Sequence, residues 1–285
     1  MSSRLKLLLL WTLMLLAPMT PAASGSPHLI EFRSDLWPGA TVRDAPLRTV
    51  HFYTTGAEAL KDDCLKQSSD EVAAFFGDAA GGLKFGARCG TLFVLVHDTI
   101  HPAMSEVARR FIGVHETFHI AAQIWGGPTP SVLIYGLRPK VSPRADKFFA
   151  DLAKALNSRA GKGDLQVDAD IAHEYQSLPP DDRATVDYFS ALEWPAEYYA
   201  FKVMASERPD WNVKSYLAVR EEIGNEASYR AAVAVGLELD GRLGSGTWEE
   251  RVFKGDSMLT LLARLGSVNL DKVDLVQVTD YPLSF

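Results

Sequence analysis

The sequence is poor in cysteine: Cys64 and Cys89 are the only two in 285 residues. That excludes a disulfide framework, a thiolate-held cluster and a four-cysteine zinc site. Basic runs are also missing and the formal charge is −7, so the chain lacks the positive footprint of a nucleic-acid partner. Beyond the N-terminus no stretch has the roughly 20 unbroken apolar residues of a membrane-spanning helix, and no stable membrane insertion is expected. No internal repeat recurs at a fixed period, which removes solenoids and propellers.

The N-terminus reads differently from the rest. "MSSRLKLLLLWTLMLLAPMTPAASGS" has a basic start at Arg4 and Lys6, a short apolar run from Leu7 to Leu16, and a small-residue exit. This is the pattern of a signal peptide covering residues 1–23, cleaved near Ala23. Losing two positive charges and no acids takes the mature chain from −7 to −9. The expected location is secreted or periplasmic, outside the cytoplasm. In that setting an isolated cysteine pair forms a disulfide, and Cys64–Cys89 would close a loop of about 25 residues worth roughly 3 kcal/mol.

With 47% apolar residues, the mature chain buries a core easily. Residues 24–48 hold three prolines and little periodicity, and read as an extended leader. "TVHFYTT" and "TLFVLVHD" are β-rich, the second a continuous apolar run suited to a buried strand. "GGLKFGARCG" is a glycine-bounded strand or hairpin, and "GAEALKDDCLKQSSDEVAAFFGD" is one helix or two short ones. A helix starts near Pro102–Ser105 and stops at Gly126-Gly127. Ser142 and Pro143 open another, and from Ala184 onward the pattern is helical. The expected fold is α+β: an α/β lobe over residues 49–127 with a small mixed sheet, then a mainly helical lobe over 128–285.

The informative stretch is "HETFH", at the junction of the two lobes. On a helix, residues four apart lie on one face, so His115 and His119 can hold one zinc ion together. Glu116 falls beside that axis, where a zinc-held water would sit. Zinc lowers the pKa of such a water to about 7, and the Glu116 carboxylate is placed to take its proton as a general base. Ala108, Phe111, Ile112 and Ala122 lie near the histidine face and turn it inward. Buried histidines without partners are costly, and a metal removes that cost.

A catalytic zinc takes three protein ligands and keeps one position open. "IAAQIWGG" after His119 lacks the third histidine of the HExxHxxGxxH spacing. The next source is "ALEWPAEYYAFKVMAS", with Glu193 and Glu197 four apart. With these residues the chain resembles the gluzincins, zinc metallopeptidases whose HExxH helix is completed by a glutamate on a downstream helix. In many of them that glutamate opens an E-x-x-A pattern. Both "EWPA" and "EYYA" fit it. Pro195 starts or kinks the helix and leaves Glu193 near its cap, so Glu197 is the expected third ligand and Glu193 the alternative, ahead of His173.

The resemblance implies a zincin-like fold, a Zn²⁺ cofactor and a peptide or protein substrate. It also implies that the strand before the motif helix, "TLFVLV", is a sheet edge that pairs with extended peptide. A tyrosine or histidine downstream should stabilise the developing oxyanion; His173, Tyr175, Tyr188, Tyr198 and Tyr199 are the candidates. Asp98 and Asp187 are candidates to orient a ligand histidine. His97 and His101 read as a surface loop, and Arg109-Arg110 as a solvated pair. The competing expectation is a secreted, non-catalytic zincin-like binding protein whose zinc site is structural, closed by a fourth ligand such as His173 or His101.

Overall fold

The computed structural model describes residues 29–40, 49–78, 82–97, 104–124, 139–158 and 165–270. Expectations for the signal peptide, Asp98, His101 and the loop at 125–138 lie outside these residues.

Four strands form the sheet: β1 (Leu29–Glu31), β2 (Thr49–Tyr53), β3 (Leu83–Arg88) and β4 (Thr91–Val96), in the order β1-β2-β4-β3. β2 and β4 run parallel, and β1 and β3 flank them antiparallel. β3 and β4 join through Cys89 and Gly90, both at positive φ (52° and 74°). Two left-handed residues match the right-handed twist of a tight hairpin.

β4 alternates cleanly. Leu92, Val94 and Val96 enter the main core, while Phe93 and Leu95 enter a smaller one with Tyr53, Leu65 and Val72. Burial on both faces explains its unbroken apolar run. It also corrects the expectation that "TLFVLV" is an edge: β4 has a hydrogen-bonded neighbour on each side. Among the described strands the edges are β1 and β3. The leader is corrected as well. Ile30 and Phe32 are buried, β1 pairs with β2, and Trp37 packs edge-on against Trp248 at 5.2 Å.

Three short helices, α1 (Gly56–Ala59), α2 (Asp63–Lys66) and α3 (Ser69–Gly77), cover one face of the sheet. Cys64 and Cys89 are free thiols, and the neighbouring Cys89 thiol lifts Cys64 to about 11. His97 is buried, not on a surface loop; its Nε2 lies 3.0 Å from the Phe76 carbonyl.

Against the other face lies α4 (Glu106–Thr117), capped by Ser105, whose hydroxyl accepts from the Ala108 amide. Gly113 lets this helix sit close to the sheet: a Cβ there would fall 2.2 Å from Ile30 Cδ1. α4 continues as a π-helix, π1 (Phe118–Ile124). Then follow α5 (Pro143–Asn157), capped by Ser142, and α6 (Leu165–Ser177). α7 (Pro180–Tyr188), a second π segment π2 (Phe189–Glu193) and α8 (Trp194–Glu207) form one continuous helical run. α9 (Val213–Ile223), α10 (Ala227–Leu243), α11 (Glu249–Val252) and α12 (Met258–Leu265) complete the helical part.

α8 is nearly enclosed, packed on α4 and α10, and α10 packs in turn on α5. At the α8–α10 crossing Gly236 meets the Tyr198 ring, which a Cβ would approach to 2.3 Å. Tyr198 cannot withdraw easily, because its hydroxyl is held by Asp240 at 2.7 Å. Gly236→Ala is therefore expected to destabilise the protein by about 1–3 kcal/mol through overpacking. Urea unfolding measures it; an unchanged midpoint would show that the helices separate freely.

Candidate metal centre

His115 lies in the last turn of α4 and His119 in the wide turn of π1 that follows. Their rings stand edge to face with centroids 4.7 Å apart, and the two Nε2 atoms are 3.0 Å apart. Glu193, the last residue of π2, brings Oε2 to 3.4 Å from His115 Nε2 and 3.7 Å from His119 Nε2. All three side chains are buried, and they form a His-His-Glu group able to hold a metal.

The other ring nitrogens are tied down. His115 Nδ1 lies 2.9 Å from Glu197 Oε2, and His119 Nδ1 lies 2.7 Å from Gln123 Oε1. The Gln123 amide nitrogen donates to the Leu192 carbonyl at 3.0 Å, which fixes its oxygen toward His119. A carboxylate and an amide oxygen only accept, so each Nδ1 carries the hydrogen. The Nε2 atoms then present lone pairs to each other and to a carboxylate oxygen. Such a trio repels itself unless a cation or a shared proton sits between its members. Ligands held at about 2.0–2.1 Å in a tetrahedron stand about 3.3 Å apart, and these three are within a few tenths of that.

The ionisation of the site expresses the same demand. Burial opposes a charge on His115, but Glu193 and Glu197 overcome it and raise the imidazole to about 10. Burial alone would raise Glu193, yet the two histidines hold it well below the usual carboxylate range.

Glu197 was the expected third ligand, and the structure places it one layer back. Its carboxylate is fully buried and takes a two-pronged ion pair from Arg220, with Nε to Oε1 and Nη2 to Oε2 both at 2.6 Å. The Tyr216 hydroxyl lies 2.8 Å from the same Oε1. Arg220 offsets the cost of burial and keeps Glu197 ionised. With both oxygens taken, Glu197 reaches the centre only through His115 Nδ1. It orients the ring as a second-layer carboxylate does.

The two π segments explain why Glu193, rather than Glu197, meets the two Nε2 atoms. Pro195 has no N–H for the Ala191 carbonyl, and its ring would clash with that carbonyl in a regular helix. The run widens before it: the Trp194 N–H bonds to the Phe189 carbonyl, five residues back. The wide turn keeps Glu193 inside the helical run, where a cap position was expected. Gln123 of π1 then bridges to Leu192 of π2. Such wide turns recur at functional sites.

No protein-family model matches the chain, and no curated protein or solved structure matches it.

Of the candidate oxyanion donors, only Tyr188 reaches the cluster, donating to Glu193 Oε1 at 3.2 Å. Tyr175 is bound to Asp187, Tyr198 to Asp240, and Tyr199 accepts from the Arg33 amide. His173 is exposed beside Gln176 and is no fourth ligand. Asp187 is held by Tyr175 rather than by a ligand histidine. Arg110 is paired with Glu207 at 2.6 Å, not merely solvated.

Four residues escaped sequence reasoning: Gln123, Tyr216, Arg220 and Tyr229. Tyr229 donates to Glu193 Oε2 at 3.0 Å, and its ring carries the Arg220 guanidinium at 3.9 Å. Gln123 alone left a trace, standing four residues after His119 on the same face. Glu116 lies buried at 8% exposure, near enough to His115 to help stabilise its charge.

Proposed function

We propose that this chain is an exported, zinc-dependent hydrolase of the gluzincin kind, acting on peptide bonds. The observation that carries the reading is the convergence of His115 Nε2, His119 Nε2 and Glu193 Oε2, with both Nδ1 atoms tied back to acceptors. Three ligands of this type with oriented rings suit zinc and leave one position for a water. A zinc ion there supplies a Lewis acid and a water with pKa near 7. Glu116, beside His115, acts as the general base and later returns the proton to the leaving amine. Tyr229 and Tyr188 donate to Glu193, and one of them would steady the developing charge by turning its hydrogen from that carboxylate to the substrate oxygen. The small mixed sheet with the HETFH helix across it and the helical remainder fit a zincin-like arrangement. The proposed route out of the cytoplasm is the signal peptide of residues 1–23, with Cys64 and Cys89 oxidised there. Among the described residues, no helix is long and apolar enough to cross a membrane.

A second reading is a structural metal site in a secreted binding protein. It is favoured by burial: His115, His119 and Glu193 are 6%, 0% and 4% exposed.

Elemental mass spectrometry of residues 24–285 tests the metal. About one zinc per chain is expected, lost in His119→Ala and Glu193→Ala. Glu197→Gln should keep the metal with about 10–100-fold weaker affinity, as for an orienting partner. Absence of zinc from the folded protein after zinc is restored would sink both readings. Full occupancy without hydrolysis of any peptide in a mixed library would leave the structural one.

A further inference from the structure

Away from the metal ligands, a cleft of about 260 Å³ opens between α5, α9 and α10. Ala153, Val213, Leu217 and Val233 give it apolar walls, and the buried Tyr216 ring forms part of its lining. Two cationic side chains, Lys154 of α5 and Arg230 of α10, line it, and no acidic side chain does. Neither makes an ion pair or side-chain hydrogen bond among the described residues.

The two charges differ in what their own helices explain. Lys154 lies in the last turn of α5, where the helix dipole favours a cation. Arg230 lies near the start of α10, where the dipole opposes one. In that place, beside a lysine and above apolar walls, the guanidinium meets no anion among the described residues. A guanidinium fork matches a carboxylate in two parallel hydrogen bonds. The space holds about eight groups of water size, at ~30 Å³ each, enough for a short chain behind the charged head.

We propose that this cleft binds a small carboxylate with a short apolar chain, of the size of hexanoate or octanoate. The inference does not rest on the metal or on hydrolysis. It does touch the centre, since the Tyr216 that lines the cleft also meets Glu197 at 2.8 Å.

Octanoate titrated into residues 24–285, by calorimetry and by methyl-resolved nuclear magnetic resonance, tests it. Saturable one-to-one binding is expected, with shifts of the Val213, Leu217 and Val233 methyls. Arg230→Gln should weaken it roughly tenfold or more, because a charge-assisted hydrogen bond is lost. Lys154→Gln should weaken it less, and Ala234→Phe should block the cleft with both cations in place. Inorganic phosphate, with charge but no chain, should bind at least tenfold more weakly. Absence of saturation, equal binding of phosphate, or unchanged affinity in the Lys154→Gln/Arg230→Gln double variant would overturn the proposal.

Discussion

Glu116→Gln is expected to retain zinc and to lower peptide hydrolysis by about 10²–10⁴-fold, the usual contribution of a positioned general base. Glutamine keeps the shape of the side chain but cannot accept a proton at neutral pH. The loss should fall on kcat, with KM little changed, since the proton is moved only on the way to the transition state. Zinc content must be measured on the same preparation. Turnover at wild-type rate with zinc in place would remove Glu116 from the chemistry. Loss of zinc together with activity would instead make Glu116 a residue of the site's framework. The geometry argues for the first role: three other side chains converge on the metal position, and Glu116 is not one of them.

Arg220→Met should be the most destabilising single change at the centre. It leaves the Glu197 carboxylate fully buried without the guanidinium that holds both oxygens at 2.6 Å. Breaking one side of a buried pair costs about 3–5 kcal/mol, which for a chain of this size lowers Tm by roughly 6–20 °C. Two further variants make the test specific. Arg220→Lys should recover only part of the loss, because an ammonium cannot make the two-pronged contact. Arg220→Met with Glu197→Gln should be more stable than Arg220→Met alone, because the orphaned charge is gone. If the double variant is no better than the single one, the loss comes from the packing of Arg220 on Tyr229 rather than from the ion pair. The same pair bears on function, since Glu197 fixes the hydrogen on His115 Nδ1 and so frees Nε2.

Much of this site is local and could be read from spacing. Four residues of helix bring His115 and His119 to one face, and an inward-facing apolar stripe buries them. Ser105 and the Ser142-Pro143 pair announce helix starts, and the hydrophobic runs announce β2 and β4. The composition alone sets aside a cysteine framework. All of these follow from properties that a short segment carries by itself: period, cap chemistry and charge.

The choice between Glu193 and Glu197 does not follow from them. Both glutamates open an E-x-x-A pattern on one face of one helix, and the one local cue between them, Pro195, points to Glu197. The decision comes from α9, where Arg220 and Tyr216 claim the Glu197 carboxylate, and from the wide turn before Pro195, which keeps Glu193 in the helical run. The place of β4 is decided the same way. Its sequence specifies a buried strand, but only the pairing of β3 on its outer side makes it internal. Gln123, Arg220 and Tyr229 join the site from separate segments. Sequence period fixes which way a side chain faces on its own helix. Which partner it meets there depends on how distant helices pack, and that is settled by the whole core at once.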